Sequence, residues 1–181
     1  MSAIVRKISD KTFTYVLLIL LIGLFFSIPL LSNNFYVTHD GQAQVVRIAA
    51  YYQAIIDGQI PPRWAGNLNY QHGLPTLSFF FPLEGYLGTV FHLIGFSFQD
   101  SYKILMIGSF LFSPVFFFFF LNKLFKKEVA FVGAILYGLA PYHFLDVYVR
   151  GQLAEMLALM FAPLLFLIIE KNLKKYLIKS Y

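Results

Sequence analysis

Four long apolar stretches alternate with short polar segments along the chain. They cover residues 12–31, 101–121, 128–145 and 154–170. About 20 predominantly apolar residues are needed for a helix to cross the hydrocarbon core of a bilayer. The pattern therefore predicts an all-α, multispan membrane protein with about four transmembrane helices, in a single domain over residues 1–181.

Two further helices are predicted between the first and second spans, over residues 41–57 and 76–98. In the first, apolar residues recur at helical spacing and form one face: Val45, Ile48, Ala49, Tyr52, Ile55 and Ile56. Gln44, Arg47 and Tyr51 form another face in line with Asp40, which stands where a helix cap is expected. This pattern predicts a helix that lies in the membrane interface.

The charge distribution favours a segment 76–98 that does not cross the membrane. If it lies in the interface, three basic groups fall on one side: Arg6, Lys7, Lys11; Lys123, Lys126, Lys127; and Lys171, Lys174, Lys175, Lys179. Lys and Arg accumulate on the cytoplasmic side of membrane proteins. We therefore predict that both termini are cytoplasmic and that the segments 32–100 and 146–155 are external.

The composition supports a membrane environment and argues against nucleic acid. The chain is 59% hydrophobic and 13% charged, whereas an average soluble domain has about 25% charged residues. Its net charge of +5 comes from basic residues beside apolar spans and not from a soluble basic patch. With no cysteine, the chain has no disulfide and no thiolate nucleophile or metal ligand.

His39 and Asp40 are the first candidate site, because they follow directly after a predicted span. An external carboxylate can bind a divalent metal or accept a proton from a hydroxyl, with the histidine assisting. The alternative is that Asp40 only caps the helix that follows. The two roles are compatible, since a capping aspartate keeps one free carboxylate oxygen.

Two arginines of the first external segment are candidate phosphate ligands. Arg47 and Arg63 can each bind a phosphate through paired N–H groups. Alternatively, they extend toward lipid headgroups, or one of them pairs with Asp57.

The second external segment contains Asp146, Tyr148, Arg150 and Glu155 within ten residues. Two acids and an arginine lie at the external ends of two predicted spans. This indicates that the segment supplies the second half of a functional site. The alternative is a local Asp146–Arg150 pair, with Glu155 solvated near a helix start.

Three more residues are candidate substrate contacts. Glu84 lies within an apolar segment, where acids are rare and mark functional sites, although at an interface it can also face water. Trp64 suits sugar stacking as well as an aromatic belt. His72 is isolated, and a polar interface residue is its ordinary interpretation.

Several short motifs resemble known membrane proteins. They are His39-Asp40-Gly41, Arg47, Pro62-Arg63-Trp64, Gly73-Leu74-Pro75, Phe81-Pro82-Leu83, Ala140-Pro141-Tyr142 and Tyr148-Val149-Arg150-Gly151 with Glu155. Over residues 10–175 the chain resembles the N-terminal part of GT-C membrane glycosyltransferases. More closely, it is similar to the bacterial "6-pyruvoyl-tetrahydropterin synthase-related" membrane-domain family.

The resemblance implies an enzyme that takes a sugar from a polyprenyl-phosphate donor on the external face of the bacterial plasma membrane. Asp40 would be the acid of the first loop, as base or as ligand of Mg or Mn, with Glu155 as a second acid. Arg150 would match the arginine of the second loop. Because GT-C enzymes usually have more spans, the resemblance also implies a fragment or N-terminal module.

Two other functions are compatible with the same pattern. In a non-enzymatic scaffold or lipid-binding module, Asp40 would be a helix cap alone. In a transporter of lipid-linked saccharides, acids would lie at mid-membrane depth, for which Glu84 is the candidate.

Overall fold

The structure, a computed structural model, describes residues 10–32 and 34–179, with residue 10 and residues 173–179 described by their backbone. The helices are α1 (Asp10–Ser27), α2 (Gly41–Ile56), α3 (Pro82–Leu93), α4 (Phe98–Leu124), α5 (Lys127–Gly138), α6 (Pro141–Phe144) and α7 (Leu153–Lys179). Short 3-10 turns cover Ile28–Leu31 and Pro75–Ser78, and a π-helical turn covers Leu145–Arg150. The predicted all-α class is confirmed.

Four helical segments are long and apolar enough to cross a membrane: Lys11–Leu31, Phe98–Leu124, Lys127–Arg150 and Leu153–Asn172. Large apolar side chains cover their outer surfaces. Phe25 is 66% exposed and Leu136 is 69% exposed. Contiguous apolar surface of this kind is unfavourable in water but not in lipid, so the chain is an integral membrane protein.

Helix α4 is the central helix of the fold. It packs against α1, α2, α3, α5 and α7 and is the most buried of the four candidate spans. Its residues Tyr102, Met106 and Phe110 form one core with Leu153 and Met156 of α7. This core lies directly below the connections that carry the candidate site.

Helices α2 and α3 pack against each other, and neither is among the helices long enough to be a candidate span. With 12 residues, α3 is about 18 Å long, whereas the hydrocarbon core is about 30 Å thick. A Cβ at Gly85 would lie 2.2 Å from the Tyr51 ring, and one at Gly88 would lie 2.5 Å from Ile48. The two glycines therefore allow close contact between the helices, and their position in the membrane interface stays a prediction.

The buried face of α2 differs from the predicted apolar face. Gln44, Ile48 and Tyr51 are buried against the rest of the fold, whereas Ile56 is 59% exposed. The polar residues in line with Asp40 thus face the protein interior and not water. They are tolerated there because each has a hydrogen-bond partner: Arg47 donates to Gln44, and the Tyr51 hydroxyl donates to the Leu77 carbonyl.

Helix boundaries differ from the predicted ones where local chemistry decides them. Helix α4 begins at Phe98, before the predicted residue 101, because Ser97 Oγ accepts a hydrogen bond from the Asp100 N–H at 3.0 Å. The predicted span 128–145 is broken after Gly138, where Pro141 has no N–H to donate. Helix α3 is shorter than the predicted segment 76–98.

The connectivity places the two long connections at the same end of the bundle. We call this the loop end, formed by residues 32–97 and 139–152. The opposite end, here the lysine end, carries Lys123, Lys126 and Lys127 in the α4–α5 connection. Of the other basic residues in the predicted cytoplasmic groups, Arg6 and Lys7 lie outside the described residues.

This arrangement predicts the labelling of single cysteines, for which the cysteine-free chain gives no background. Cysteines at Val37 and Phe96, both exposed at the loop end, should react with a membrane-impermeant maleimide from one side of the membrane. A cysteine at Phe125, exposed at the lysine end, should react from the other side. Labelling of Val37 and Phe96 from opposite sides would mean that α3 crosses the membrane.

Candidate functional site

The two connections of the loop end are joined by backbone hydrogen bonds. The His39 N–H donates to the Val149 carbonyl at 2.9 Å, and the Asp40 N–H donates to the Arg150 carbonyl at 2.8 Å. Below them, the buried Tyr102 hydroxyl donates to the Gly151 carbonyl at 3.0 Å. Asp40 and Arg150, which are 110 residues apart in sequence, are therefore held side by side.

Gly151 makes this contact possible. Its φ is +71°, and a Cβ there would lie 2.2 Å from Thr38 Oγ1 and 2.9 Å from the Gly41 nitrogen. Both the left-handed backbone and the close approach of the first connection exclude a side chain at this position.

The Asp40 carboxylate does not cap α2. Asp40 occupies the N-cap position without a side-chain cap bond, and Thr38 Oγ1 instead accepts from the Gly41 N–H at 3.0 Å. The alternative that Asp40 is only a cap is therefore wrong. Its Oδ2 accepts a hydrogen bond from Gln152 Nε2, and Oδ1 accepts none from the described residues.

A continuous chain of side-chain hydrogen bonds runs inward from Asp40. Gln44 Nε2 donates to Gln152 Oε1 at 2.9 Å, and Arg47 Nη1 donates to Gln44 Oε1 at 2.9 Å. Arg47 Nη1 also donates to Glu84 Oε1 at 2.7 Å. Two glutamines thus connect the Asp40 carboxylate to a buried ion pair.

The inner end of this chain is shielded from water. Glu84 is 1% exposed, and its Oε2 has no hydrogen-bond partner among the described residues. Burial raises the pKa of Glu84 above its ordinary value, against the opposing hydrogen bond and charge of Arg47. The Arg47 guanidinium also lies 3.7 Å from the centre of the Phe80 ring, a favourable cation–π contact.

Arg150 is the centre of a second charged cluster. It donates to Asp146 Oδ1 at 2.8 Å and to both oxygens of Glu155 at 2.5 and 2.7 Å. Tyr142 links the same groups, accepting from Arg150 and donating to Glu155, both at 2.6 Å. The local Asp146–Arg150 pair is confirmed, but Glu155 is bound to the same arginine and not solvated alone.

An apolar groove begins beside these two clusters. It has a volume of about 250 Å³ and lies between α3 and α7. Glu84 and Glu155 line it together with apolar residues that include Leu83, Leu157 and Phe161. Two acids therefore line an apolar groove that runs along α7, one of the candidate spans.

The other predicted site residues lie apart from this cluster. Arg63, Trp64 and His72 belong to the irregular segment between α2 and α3, and all three are exposed. The exposed His39 side chain makes no hydrogen bond to described residues. The Tyr148 hydroxyl donates to the Phe26 carbonyl and so points toward the spans.

Three residues of the site were missed in the sequence. Gln152 and Thr38 stand next to a noted motif and Tyr142 lies within one, but their side chains are chemically common. Gln44 was placed in line with Asp40, and only the fold shows its partner. An amide becomes informative when it bridges groups that are distant in sequence.

The side chains of this site give little support for a bound metal ion. Among residues 10–32 and 34–179, no group of three or more His, Asp or Glu side chains lies close enough to hold one. Both Glu155 oxygens accept from Arg150, and Asp40 accepts from Gln152. The residues do not fit a metal centre built by this chain alone, and binding of Mg or Mn stays a prediction.

Comparison with curated proteins finds similarity to a bacterial protein. Over 168 residues, 90% of the chain, it is 25% identical to an uncharacterized protein of Lactococcus lactis subsp. cremoris (strain MG1363). The chain spans about a quarter of that curated relative, 27% of its length. No family profile and no solved structure matches the chain.

The contact between the two connections predicts a cost for a side chain at Gly151. Gly151→Ala should destabilise the protein by about 1–3 kcal/mol, because it strains the backbone and displaces Thr38. Thermal unfolding in detergent measures this effect. Gly108→Ala is the matched control, since open space surrounds that helical glycine and alanine should stabilise it slightly. Equal stability of the two variants would contradict the contact.

The cluster around Arg150 predicts unequal effects of two substitutions. Asp146 is 0% exposed, whereas the Glu155 side chain is 36% exposed. Arg150→Gln leaves a buried carboxylate unpaired and should cost about 3–5 kcal/mol. Glu155→Gln removes a partly exposed pair and should cost about 1 kcal/mol or less. Comparable losses in chemical unfolding would contradict the pairing described here.

Proposed function

We propose that this chain forms the acid-bearing part of a GT-C-type glycosyltransferase that uses a polyprenyl-phosphate sugar donor. The observation that carries the proposal is the Asp40 carboxylate, which the fold holds beside Arg150 without using it as a helix cap. The resemblance of the short motifs around Asp40 and Arg150 to GT-C enzymes supports the same assignment.

In this proposal Asp40 is the general base. An acceptor hydroxyl attacks the anomeric carbon of the donor sugar and transfers its proton to Asp40. The bond between that carbon and the phosphate oxygen breaks, and polyprenyl phosphate leaves with the electron pair. A single displacement inverts the anomeric centre. Gln152 positions the carboxylate through one oxygen, and the other oxygen remains available for the proton.

The donor phosphate is assigned to Arg150. This guanidinium is 31% exposed, whereas that of Arg47 is 12% exposed and pairs with Glu84. Phosphate would exchange with Glu155 as the partly exposed partner of Arg150, while Asp146 keeps its pair. The groove between α3 and α7 suits the first isoprene units, because binding pockets for apolar ligands are concave and mostly hydrophobic.

The site is assigned to the external face of a bacterial plasma membrane. The lysine end carries three of the basic residues next to spans, and such residues favour the cytoplasmic side. The loop end, with Asp40 and Arg150, then faces outward, where lipid-linked sugars are used by enzymes of the type that the chain resembles.

Asp40→Asn tests the role of Asp40 in the protein at its full natural length. Membranes containing the protein are given a panel of sugar-labelled polyprenyl phosphates, and release of polyprenyl phosphate is measured. This readout needs no knowledge of the acceptor beyond its presence in the membranes. Loss of a general base lowers rates by about 10²–10⁴-fold, so we expect release to fall at least about 100-fold.

Asp57→Asn is the matched control, because Asp57 is an exposed carboxylate at the other end of α2 whose side chain bonds, among the described residues, Gln53 alone. It should release polyprenyl phosphate at the wild-type rate. Membrane insertion of both variants is compared by cysteine labelling. Full activity of Asp40→Asn would remove Asp40 from the mechanism, and no release by the wild type would favour a non-enzymatic lipid-binding module.

A further inference from the structure

A cavity in the segment between α2 and α3 contains an arginine without a counter-charge. The cavity has a volume of about 410 Å³, and its wall includes Pro62, Arg63, Ser78, Phe80 and Tyr86. None of the described residues that line it is acidic. It is separate from the groove beside Glu155, with which it shares no lining residue.

The backbone around Arg63 is held in place while its side chain is left unpaired. Gln59 Oε1 accepts from the N–H groups of Arg63 and Trp64 at 3.5 and 3.1 Å, and Gln59 Nε2 donates to the Trp64 carbonyl at 3.1 Å. Ser78 Oγ donates to the Arg63 carbonyl at 3.2 Å. The guanidinium itself makes no hydrogen bond or ion pair with a described residue. Arg47 and Arg150, in contrast, are both neutralised by carboxylates.

An unpaired guanidinium in a cavity with aromatic walls favours an oxyanion, and phosphate matches its paired N–H groups best. The surroundings indicate where that phosphate comes from. Ile60, Phe79 and Phe81 are 83%, 80% and 66% exposed, and each lies within three residues of a residue in the cavity wall. Large apolar side chains are this exposed where they enter lipid.

We propose that this cavity binds the phosphate of an anionic membrane phospholipid. Arg63 contacts the phosphodiester, and Ile60 and Phe79 lie in the adjoining acyl-chain region. The bound lipid fixes the segment between α2 and α3 against the membrane surface. This lipid is not the sugar donor, and the assignment does not depend on the proposed transferase activity.

Trp64 gives a direct reading of this site, because it is the one tryptophan of the chain and is adjacent to Arg63. Its emission is followed in detergent-solubilised protein of full natural length during titration with short-chain phosphatidylglycerol. Arg63→Gln should weaken the apparent affinity at least about tenfold, since a hydrogen bond to a charged group is lost. Arg63→Lys should lie between the two, because it keeps the charge without the paired N–H groups.

The controls distinguish lipid binding at this cavity from a general effect of positive charge and from binding at the transferase site. Lys126→Gln removes a positive charge at the lysine end and should titrate like the wild type. Asp40→Asn should also titrate like the wild type, so that failure of the transferase proposal leaves this result unaffected. Because Arg63 is exposed, the substitution should preserve the fold, which circular dichroism checks.

Two further measurements test whether the bound phosphate belongs to a lipid or is free inorganic phosphate. Inorganic phosphate alone should bind at least about tenfold more weakly than the lipid. In nanodiscs, phosphatidylglycerol with brominated acyl chains should quench Trp64, and the double substitution Ile60→Ser with Phe79→Ser should reduce the quenching. The proposal is overturned if Arg63→Gln binds the lipid like the wild type, if inorganic phosphate binds equally well, or if brominated lipid does not quench.

Discussion

The site depends on two backbone hydrogen bonds between the connections of the loop end. They join His39 and Asp40 to Val149 and Arg150, residues that leave the first span and approach the last. An isolated surface loop of this size would be mobile, because fixing each residue costs about 1–2 kcal/mol of conformational entropy. The four packed helices form a rigid frame for these connections. Tyr102 of α4 links the frame to the second connection by donating a hydrogen bond to the Gly151 carbonyl.

Burial of charge next to this junction is costly and therefore informative. Asp146 and Glu84 are almost inaccessible to solvent, and a buried ion pair rarely adds net stability over an apolar pair. Each acid has an arginine partner, and the glutamines connect one pair to Asp40. Such a network makes one arrangement of donors and acceptors more favourable than its alternatives. The framework that results holds Asp40 beside the second connection, with Gln152 bound to one of its two carboxylate oxygens.

Sequence patterns predicted the parts of the fold that local physics controls. Long apolar runs located the four candidate spans, and the lysine distribution favoured a non-spanning α3, whose 12 residues are too few for a span. Ser97 and Asp100 form a readable cap that would have placed the start of α4. The π-helical turn before Gly151 was harder to predict from the sequence. It depends on the pairing of two distant connections and on the proline that follows α5.

For the site, the charged residues could be predicted but their partners could not. Asp40, Arg150 and Glu155 are conspicuous because acids and arginines are rare in an apolar chain. That Thr38 would replace Asp40 as the cap depends on a competition between two neighbouring side chains. That Gln152 would reach Asp40 depends on a contact over 112 residues. Arg63 was grouped with Arg47, although only the fold shows that one of them lacks a carboxylate partner.

Oxidative cross-linking of a cysteine pair at His39 and Val149 tests whether the two connections of the loop end lie against each other. Both positions are exposed, and residues whose backbones are hydrogen-bonded across two segments lie within the range that a disulfide spans. The account predicts efficient cross-linking of this pair in native membranes and none between His39 and Phe125. A pair at His39 and Val149 that stays reduced under oxidation, while each single cysteine remains reactive, would contradict it.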